Sequence, residues 1–500
     1  PTAHCPLPTA HCRLPTADCE LPTDIAPCLL LIAHIFTILA NHFIYPSHLI
    51  PMSQESSSPR DSFSTKFGVI AAAAGSAIGL GNIWRFPYET GVNGGGAFLV
   101  VYLVCILLIG LPVMISEFLI GRSAQRNPFG AFKSLAPGKP WYLIGLMGVV
   151  AAFMILAFYT VVAGWTLEYI YQSFAGTLKG KDPIELKGMF DSFRYESYRP
   201  LLWFVIFIGL TGWVVIAGIK NGIEKYTKIL MPMLLIMLVA MSVYVLTLPG
   251  AGKGLEFLFK PDFSKLTPNV ILKALGQAFF SLSIGMGTLI TYGSYIKKKE
   301  NLGSTALSVA GADTFIAVMA GVAIFPAIFA LSNVGEFDVT RLADEGLVFI
   351  TLPSILYSIP GGPILSTMFF ILLSVAALTS TISVLEVIVT YFVEELKLTR
   401  KRATISAVAS VSILGILSVL FSGVFGFLNF TSANILLPLG GLFIVLFVGW
   451  SLSKKITREE LTNSGSIKGK FIPLYLFLVK FIAPVAIAIV FIYGIWNAIH

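Results

Sequence analysis

Charge is what this 500-residue chain has least of: 12% of its residues are charged, 56% are hydrophobic, and the mean hydropathy is +0.84. A soluble domain carries about 25% charged residues, so a water-soluble globule is excluded and a polytopic membrane protein remains. Histidine is nearly absent from the body of the chain. His4, His11, His34, His42 and His48 crowd the N-terminal stretch, and the sixth is His500. No imidazole is left for metal ligation or acid–base work. Cysteine is distributed the same way, with Cys5, Cys12, Cys19 and Cys28 near the start and Cys105 alone in an apolar run, which supports no disulfide framework. The chain has no GxxxxGK[ST] phosphate loop and, lacking core histidine, no Ser/His/Asp set. It is therefore read as a non-enzyme with no organic cofactor. The net charge of +8 contains no basic cluster interleaved with aromatics, so it describes loops at a lipid surface rather than a nucleic-acid groove.

The first 51 residues stand apart. PTAHCPL, PTAHCRL and PTADCEL repeat every seven residues, each opened by a proline that excludes a helical heptad. The His-Cys pairs fit no familiar tetrahedral zinc spacing. Met52 is the first methionine. Residues 1–51 are thus expected to be a low-complexity extension, a mis-assigned start or disordered, followed by a cytoplasmic tail over 52–66 and a membrane domain over 67–500. The run from Cys28 to Tyr45 is short, contains Asn41 and His42 and lacks a basic flank, so it makes a poor signal peptide.

From Phe67 onward, eleven apolar segments of spanning length are expected, near 67–90, 97–121, 141–173, 201–218, 223–248, 270–295, 304–332, 363–394, 403–421, 430–452 and 472–497. Lysine and arginine mark every second loop: Arg122, Arg126, Lys133 and Lys139 after segment two; Lys220, Lys225 and Lys228 after four; Lys297, Lys298 and Lys299 after six; Arg400, Lys401 and Arg402 after eight; Lys454, Lys455 and Arg458 after ten. The loop 335–345 is acidic instead. The positive-inside rule then places the N-terminus in the cytoplasm and the C-terminus outside a cell (plasma or inner) membrane.

Two segments break the apolar pattern. In GSAIGLGNIWRFP, Gly79 and Gly81 precede a polar Asn82 and Arg85; in FFSLSIGMGTLITYGSY, Gly285 and Gly287 flank Met286. An unsatisfied backbone group in hydrocarbon costs several kcal/mol, so irregular backbone survives at that depth only against protein or a water-filled cavity. Segments one and six open the two halves, helices 1–5 (about 67–248) and 6–10 (about 270–452), with helix 11 (about 472–497) appended. Paired broken helices at corresponding positions point to a secondary transporter with its site near the midplane.

The stretches GSAIGLGNIWRFPYETGVNGGGAF, GQAFFSLSIGMG and LTSTIS resemble the neurotransmitter:sodium symporter family, in order and spacing, from about Arg60 to the end. The resemblance implies an all-α polytopic fold with an inverted five-helix repeat and helices 1 and 6 broken mid-membrane. It implies substrate contacts from the backbone of Ala77, Leu80 and Gly81, a Tyr159 hydroxyl on the substrate carboxylate, and a pocket of Ile155, Tyr159, Phe280, Ser281, Ser283, Met286, Ser380 and Val384. It implies two sodium sites, Ala77, Asn82, Ser281 and Asp313 for the first and Gly75, Ile78, Ala376, Thr379 and Ser380 for the second. A carboxylate at Asp313, with Ala317 where chloride-dependent relatives carry serine, implies chloride independence. Gates would be Arg85 with Asn429, Phe280 and Tyr159 on the outside, and Arg60, Glu394 and Tyr295 inside, with Phe63 where a tryptophan often sits. Glu117 would be a buried acid beneath the breaks. Gly222 and Pro232 would let segment five unwind.

The expected function is sodium-coupled symport of hydrophobic or aromatic L-amino acids into the cell by alternating access, in a lipid membrane and without nucleic acid. Met286 is adaptable in shape, which suits a broad substrate range. The alternatives are a carrier of another small zwitterion or amine, and a non-transporting amino-acid sensor on the same scaffold. Segment one carries Ser76 rather than an acid before its break, which favours a substrate bringing its own carboxylate.

Overall fold

The computed structural model describes residues 62–196, 198–331 and 346–499. The extension 1–51, Arg60 and the acidic loop 335–345 lie outside the described residues. The chain divides into Pro1–Pro51 and Met52–His500, and everything below concerns the second unit.

Among the described residues every regular element is helical. Nine helices among the described residues are long and apolar enough to cross a membrane without interruption: Gly96–Ala124, Tyr142–Phe174, Tyr198–Ile216, Ile219–Leu246, Leu302–Ala330, Gly362–Glu394, Arg400–Leu420, Ser422–Ser451 and Ile472–Trp496. Segment one is a bent pair, Lys66–Ala77 and Gly81–Val92, with 56° between its halves. Segment six is also interrupted, into Pro268–Ser281 and Thr288–Gly293. Counting the bent pair once gives up to ten spans among the described residues, one fewer than the eleven expected; the two halves of segment six are too short to be counted by the same measure.

The boundaries fall close to the sequence reading except at segment ten. It starts at Ser422 rather than near 430, because a π-helical turn over Thr431–Leu436 joins Ser422–Phe430 to the rest. Ser422, Gly423, Gly426 and Asn429 dilute the apolar pattern there and hide the helix from a hydropathy reading.

The two breaks have different local causes. Segment one runs through four alanines to Ala77 and then turns extended at Ile78 (φ −72°, ψ 102°), where the following glycine leaves the chain free to redirect. Segment six passes through positive φ at Ser283 (52°), Gly285 (89°) and Gly287 (79°), a region that only glycine enters without cost. The break nests against segment ten: a Cβ on Gly285 would stand 2.3 Å from the Leu437 carbonyl oxygen, and one on Gly440 2.2 Å from that of Gly285. Small residues let helix backbones approach this closely inside a membrane.

Segments three and eight pack along each other, and segment eight also packs against segment one; three and eight are largely buried. Ile405 and Ile413 of segment nine, Val205 of four, Ile236 of five and Val485 and Ile489 of eleven are exposed. An apolar rim around a buried polar centre is the arrangement lipid requires. At one end, segment one is tied to segment five: the Glu224 carboxylate accepts from Ser64 N at 2.8 Å and from Thr65 Oγ1 at 3.2 Å.

Candidate functional site

A cavity lies between the two breaks. Its walls are Ser76, Ala77, Gly79 and Gly81 of segment one, Ile155, Leu156 and Tyr159 of three, Phe280, Ser283 and Met286 of six, and Ser380, Thr381 and Val384 of eight. All but two of the residues assigned to the pocket from sequence line it. Leu80 and Ser281 stand just behind. The Leu80 backbone N–H donates to the Tyr159 hydroxyl at 2.9 Å, so the freed amide and the tyrosine assigned to the carboxylate occupy one spot. Glycine at 79 keeps this corner open, because a Cβ would sit 2.5 Å from Ser380 Oγ and 2.7 Å from Tyr159 OH. The cavity thus has one end of amides and hydroxyls and another of Ile155, Leu156, Met286 and Val384.

Beside that polar end, Asn82, Ser281 and Asp313 come together, all fully buried. Asn82 Oδ1 accepts from Gly79 N at 3.0 Å, while its Nδ2 donates to Asp313 Oδ1 at 2.7 Å and to Ser281 Oγ at 3.1 Å. Ser281 Oγ donates to Asp313 Oδ2 at 2.7 Å. A buried carboxylate needs this much company. The cluster joins segments one, six and seven through hard oxygen donors, the chemistry an alkali cation uses.

A second set of oxygens lies where segment one crosses segment eight. Ser380 Oγ is 3.5 Å from the Gly75 carbonyl, 3.4 Å from that of Ser76 and 3.3 Å from that of Ile78. Thr379 Oγ1 donates to Ala376 O at 3.0 Å, and a Cβ on Gly75 would lie 3.3 Å from the Thr379 Cβ. Gly75, Ile78, Thr379 and Ser380 thus stand together at this crossing, with Ala376 one turn before Ser380 on the same helix.

The residues expected at the gates are only partly brought together among the described residues. Arg85 pairs with Glu89 of its own helix at 3.8 Å, and its guanidinium lies 4.6 Å from the centre of the Phe280 ring. Asn429 is exposed, and no Arg85–Asn429 bond is present among the described residues. Asn434 instead lines a second cavity with Arg85 and Phe280, because the π-helical turn over Thr431–Leu436 shifts the face that segment ten presents. On the other side Tyr295 donates to Glu386 Oε1 at 2.7 Å, and Arg400 pairs with Glu386 at 2.6 Å. Glu394 accepts from Asn127 N at 2.8 Å and Asn127 Nδ2 at 2.9 Å. With Arg60 outside the described residues, the expected inner trio is only partly on view. Phe63 is buried edge-on against Tyr292 and Tyr295.

The profile of the sodium:neurotransmitter symporter family matches residues 60–183 and 196–499. The chain belongs to that family. Among its relatives, the uncharacterized sodium-dependent transporter YhdH of Bacillus subtilis is 36% identical over 441 residues, covering 86% of this chain and 96% of its own length. An uncharacterized sodium-dependent transporter of Haemophilus influenzae is 36% identical over 455 residues, covering 87% and 98%. The solved structure of MhsT in complex with L-phenylalanine is 47% identical, with a TM-score of 0.78, and covers 87% of this chain and 100% of MhsT. This chain is accordingly a sodium-dependent symporter and not an enzyme.

Several partners in the symporter's centre escaped the sequence reading. Gln277 Nε2 donates to the Gly81 carbonyl at 3.1 Å, which also accepts from Phe86 N, so segment six is tied to segment one just past the break. Tyr102 donates to Ser281 Oγ at 3.1 Å. Gln277 lies one helical turn before Ser281 on the same face, a periodicity that could have found it. Tyr102 sits in an apolar run and gave no signal. Glu117, expected beneath the breaks, accepts from Gly285 N at 2.7 Å. Segment five is fully wound: the π-helical turn Ile219–Glu224 contains Gly222 and continues into a helix that runs through Pro232.

Proposed function

We propose that this symporter moves hydrophobic or aromatic L-amino acids into the cell, driven by sodium and independent of chloride. The observation that carries the reading is the juxtaposition of the two breaks with the Asn82–Ser281–Asp313 cluster. A zwitterionic amino acid needs a dipole end and a hydroxyl for its carboxylate, and helix N-termini offer such groups; the Leu80 amide and Tyr159 hydroxyl supply them here. Its side chain then meets Ile155, Leu156, Met286 and Val384. That MhsT, solved with L-phenylalanine, is 47% identical supports the same cargo class.

Sodium occupies two sites in this reading. The first is Ala77, Asn82, Ser281 and Asp313, with the substrate carboxylate as a shared ligand that couples ion to cargo. The second is Gly75, Ile78, Ala376, Thr379 and Ser380, which holds segment one on segment eight and so keeps the pathway closed inward. Asp313 supplies beside the first site the fixed negative charge that a chloride ion would otherwise bring. The termini lie as the basic loops indicate, N inside and C outside, and segment five unwinds between Gly222 and Pro232 to release the second sodium. The test is a competition series of amino acids against labelled L-phenylalanine in proteoliposomes, with and without sodium and chloride. Apolar amino acids should compete best, only with sodium and equally without chloride; competition led by betaines or amines would replace the cargo assignment.

A further inference from the structure

The cavity carries several hydroxyls, and nearly every one is already engaged. Ser283 Oγ donates to Ser76 O at 2.9 Å, Ser380 faces the segment-one carbonyls, and Tyr159 accepts from Leu80. These lie at the end that meets the amino-acid backbone. Thr381 is different, because it lines the cavity with Ile155, Leu156 and Val384, where the cargo's side chain would rest. An exposed hydroxyl there would reward a polar side chain.

That hydroxyl is turned elsewhere. Thr381 Oγ1 donates to the Leu378 carbonyl at 3.0 Å and lies 2.9 Å from Thr211 Oγ1 of segment four. Thr211 Oγ1 is in turn 3.0 Å from the Phe207 carbonyl. Both threonines are fully buried, and Thr211 has no place in the cavity wall. Oriented this way, Thr381 leaves its methyl group as the surface available to cargo.

We propose that Thr211, a positioning residue outside the cavity, sets the preference for apolar side chains by holding the Thr381 hydroxyl out of it. The assignment rests on the amino-acid reading above and names what enforces its selectivity. Without Thr211 the Thr381 hydroxyl loses one of its two partners inside a buried wall, and a hydroxyl on the cargo restores it. A net hydrogen bond changes an equilibrium by about fivefold.

The experiment is competition against sodium-driven uptake of labelled L-phenylalanine, read as two ratios of inhibition constants, threonine to valine and tyrosine to phenylalanine. These pairs differ essentially by a hydroxyl. T211V, nearly isosteric, should shift at least one ratio about fivefold toward the hydroxylated member. T211S, which keeps the hydroxyl, should retain the wild-type ratios, and the double variant T211V/T381V should lose the shift. T211A is read in the same assay should T211V fail to fold. Unchanged ratios in the folded variant, or a shift that persists in the double variant, overturn the role of Thr211 alone. Absence of sodium-driven phenylalanine uptake in the wild type overturns the amino-acid reading and this assignment with it.

Discussion

Asn82 is the residue on which most of the centre turns, since its amide touches the broken backbone through Gly79 and the Asp313 carboxylate at once. Removing it leaves a buried acid short of a donor, a loss of about 1–3 kcal/mol or more for a charged group. N82A should therefore raise the sodium concentration for half-maximal uptake by at least about tenfold, measured as sodium dependence in proteoliposomes; an unchanged sodium curve would remove Asn82 from the ion site. Asp313→Asn keeps the volume and discards the charge. It should weaken sodium activation while wild-type uptake stays insensitive to chloride replacement, and wild-type uptake that stops without chloride would contradict the role given to Asp313. Tyr159→Phe deletes the hydroxyl beside the Leu80 amide and should raise KM about tenfold with a smaller change in kcat, the pattern of lost ground-state binding.

At the scale of elements, the breaks were legible in the sequence because membrane physics makes glycine pairs and a buried Asn-Ile-Trp-Arg run expensive unless they are used. Asp313 was legible for the same reason, as a carboxylate inside an apolar helix. What could not be read was which groups meet across helices. Glu386 reaches Tyr295 from two turns deeper in segment eight than Glu394, and the face of segment ten depends on a π-helical turn that no periodicity announces. Tyr102 reaches Ser281 only because two separate segments come together. The two breaks also predict different responses to alanine. Gly285→Ala forces a side chain at φ 89° against the Leu437 carbonyl, so it should lower thermal stability in detergent as well as activity. Gly79→Ala meets only the tips of Ser380 and Tyr159; it should fold and melt near the wild type yet lose amino-acid binding. Equal melting losses in both would contradict this division. Segment five, wound here with Glu224 tying it to Ser64 and Thr65, should turn over more slowly in Pro232→Ala, with substrate binding retained.

The described residues of Met52–His500 form a helical bundle with a polar cluster buried at its centre and an apolar rim, the reverse of a soluble enzyme's surface. The proposed ion and cargo sites share residues of segment one, so binding at one would stabilise the arrangement the other needs. A ligand that binds only the folded state raises stability by RT ln(1 + [L]/Kd), so sodium should raise the melting temperature in detergent, with sodium and phenylalanine together raising it further. Potassium should do neither. The most direct measurement is accumulation of labelled L-phenylalanine in proteoliposomes under an imposed inward sodium gradient. Sodium-coupled symport predicts internal label rising above the external concentration and draining when an ionophore collapses the gradient. Uptake that only equilibrates, whatever the sodium gradient, would contradict it.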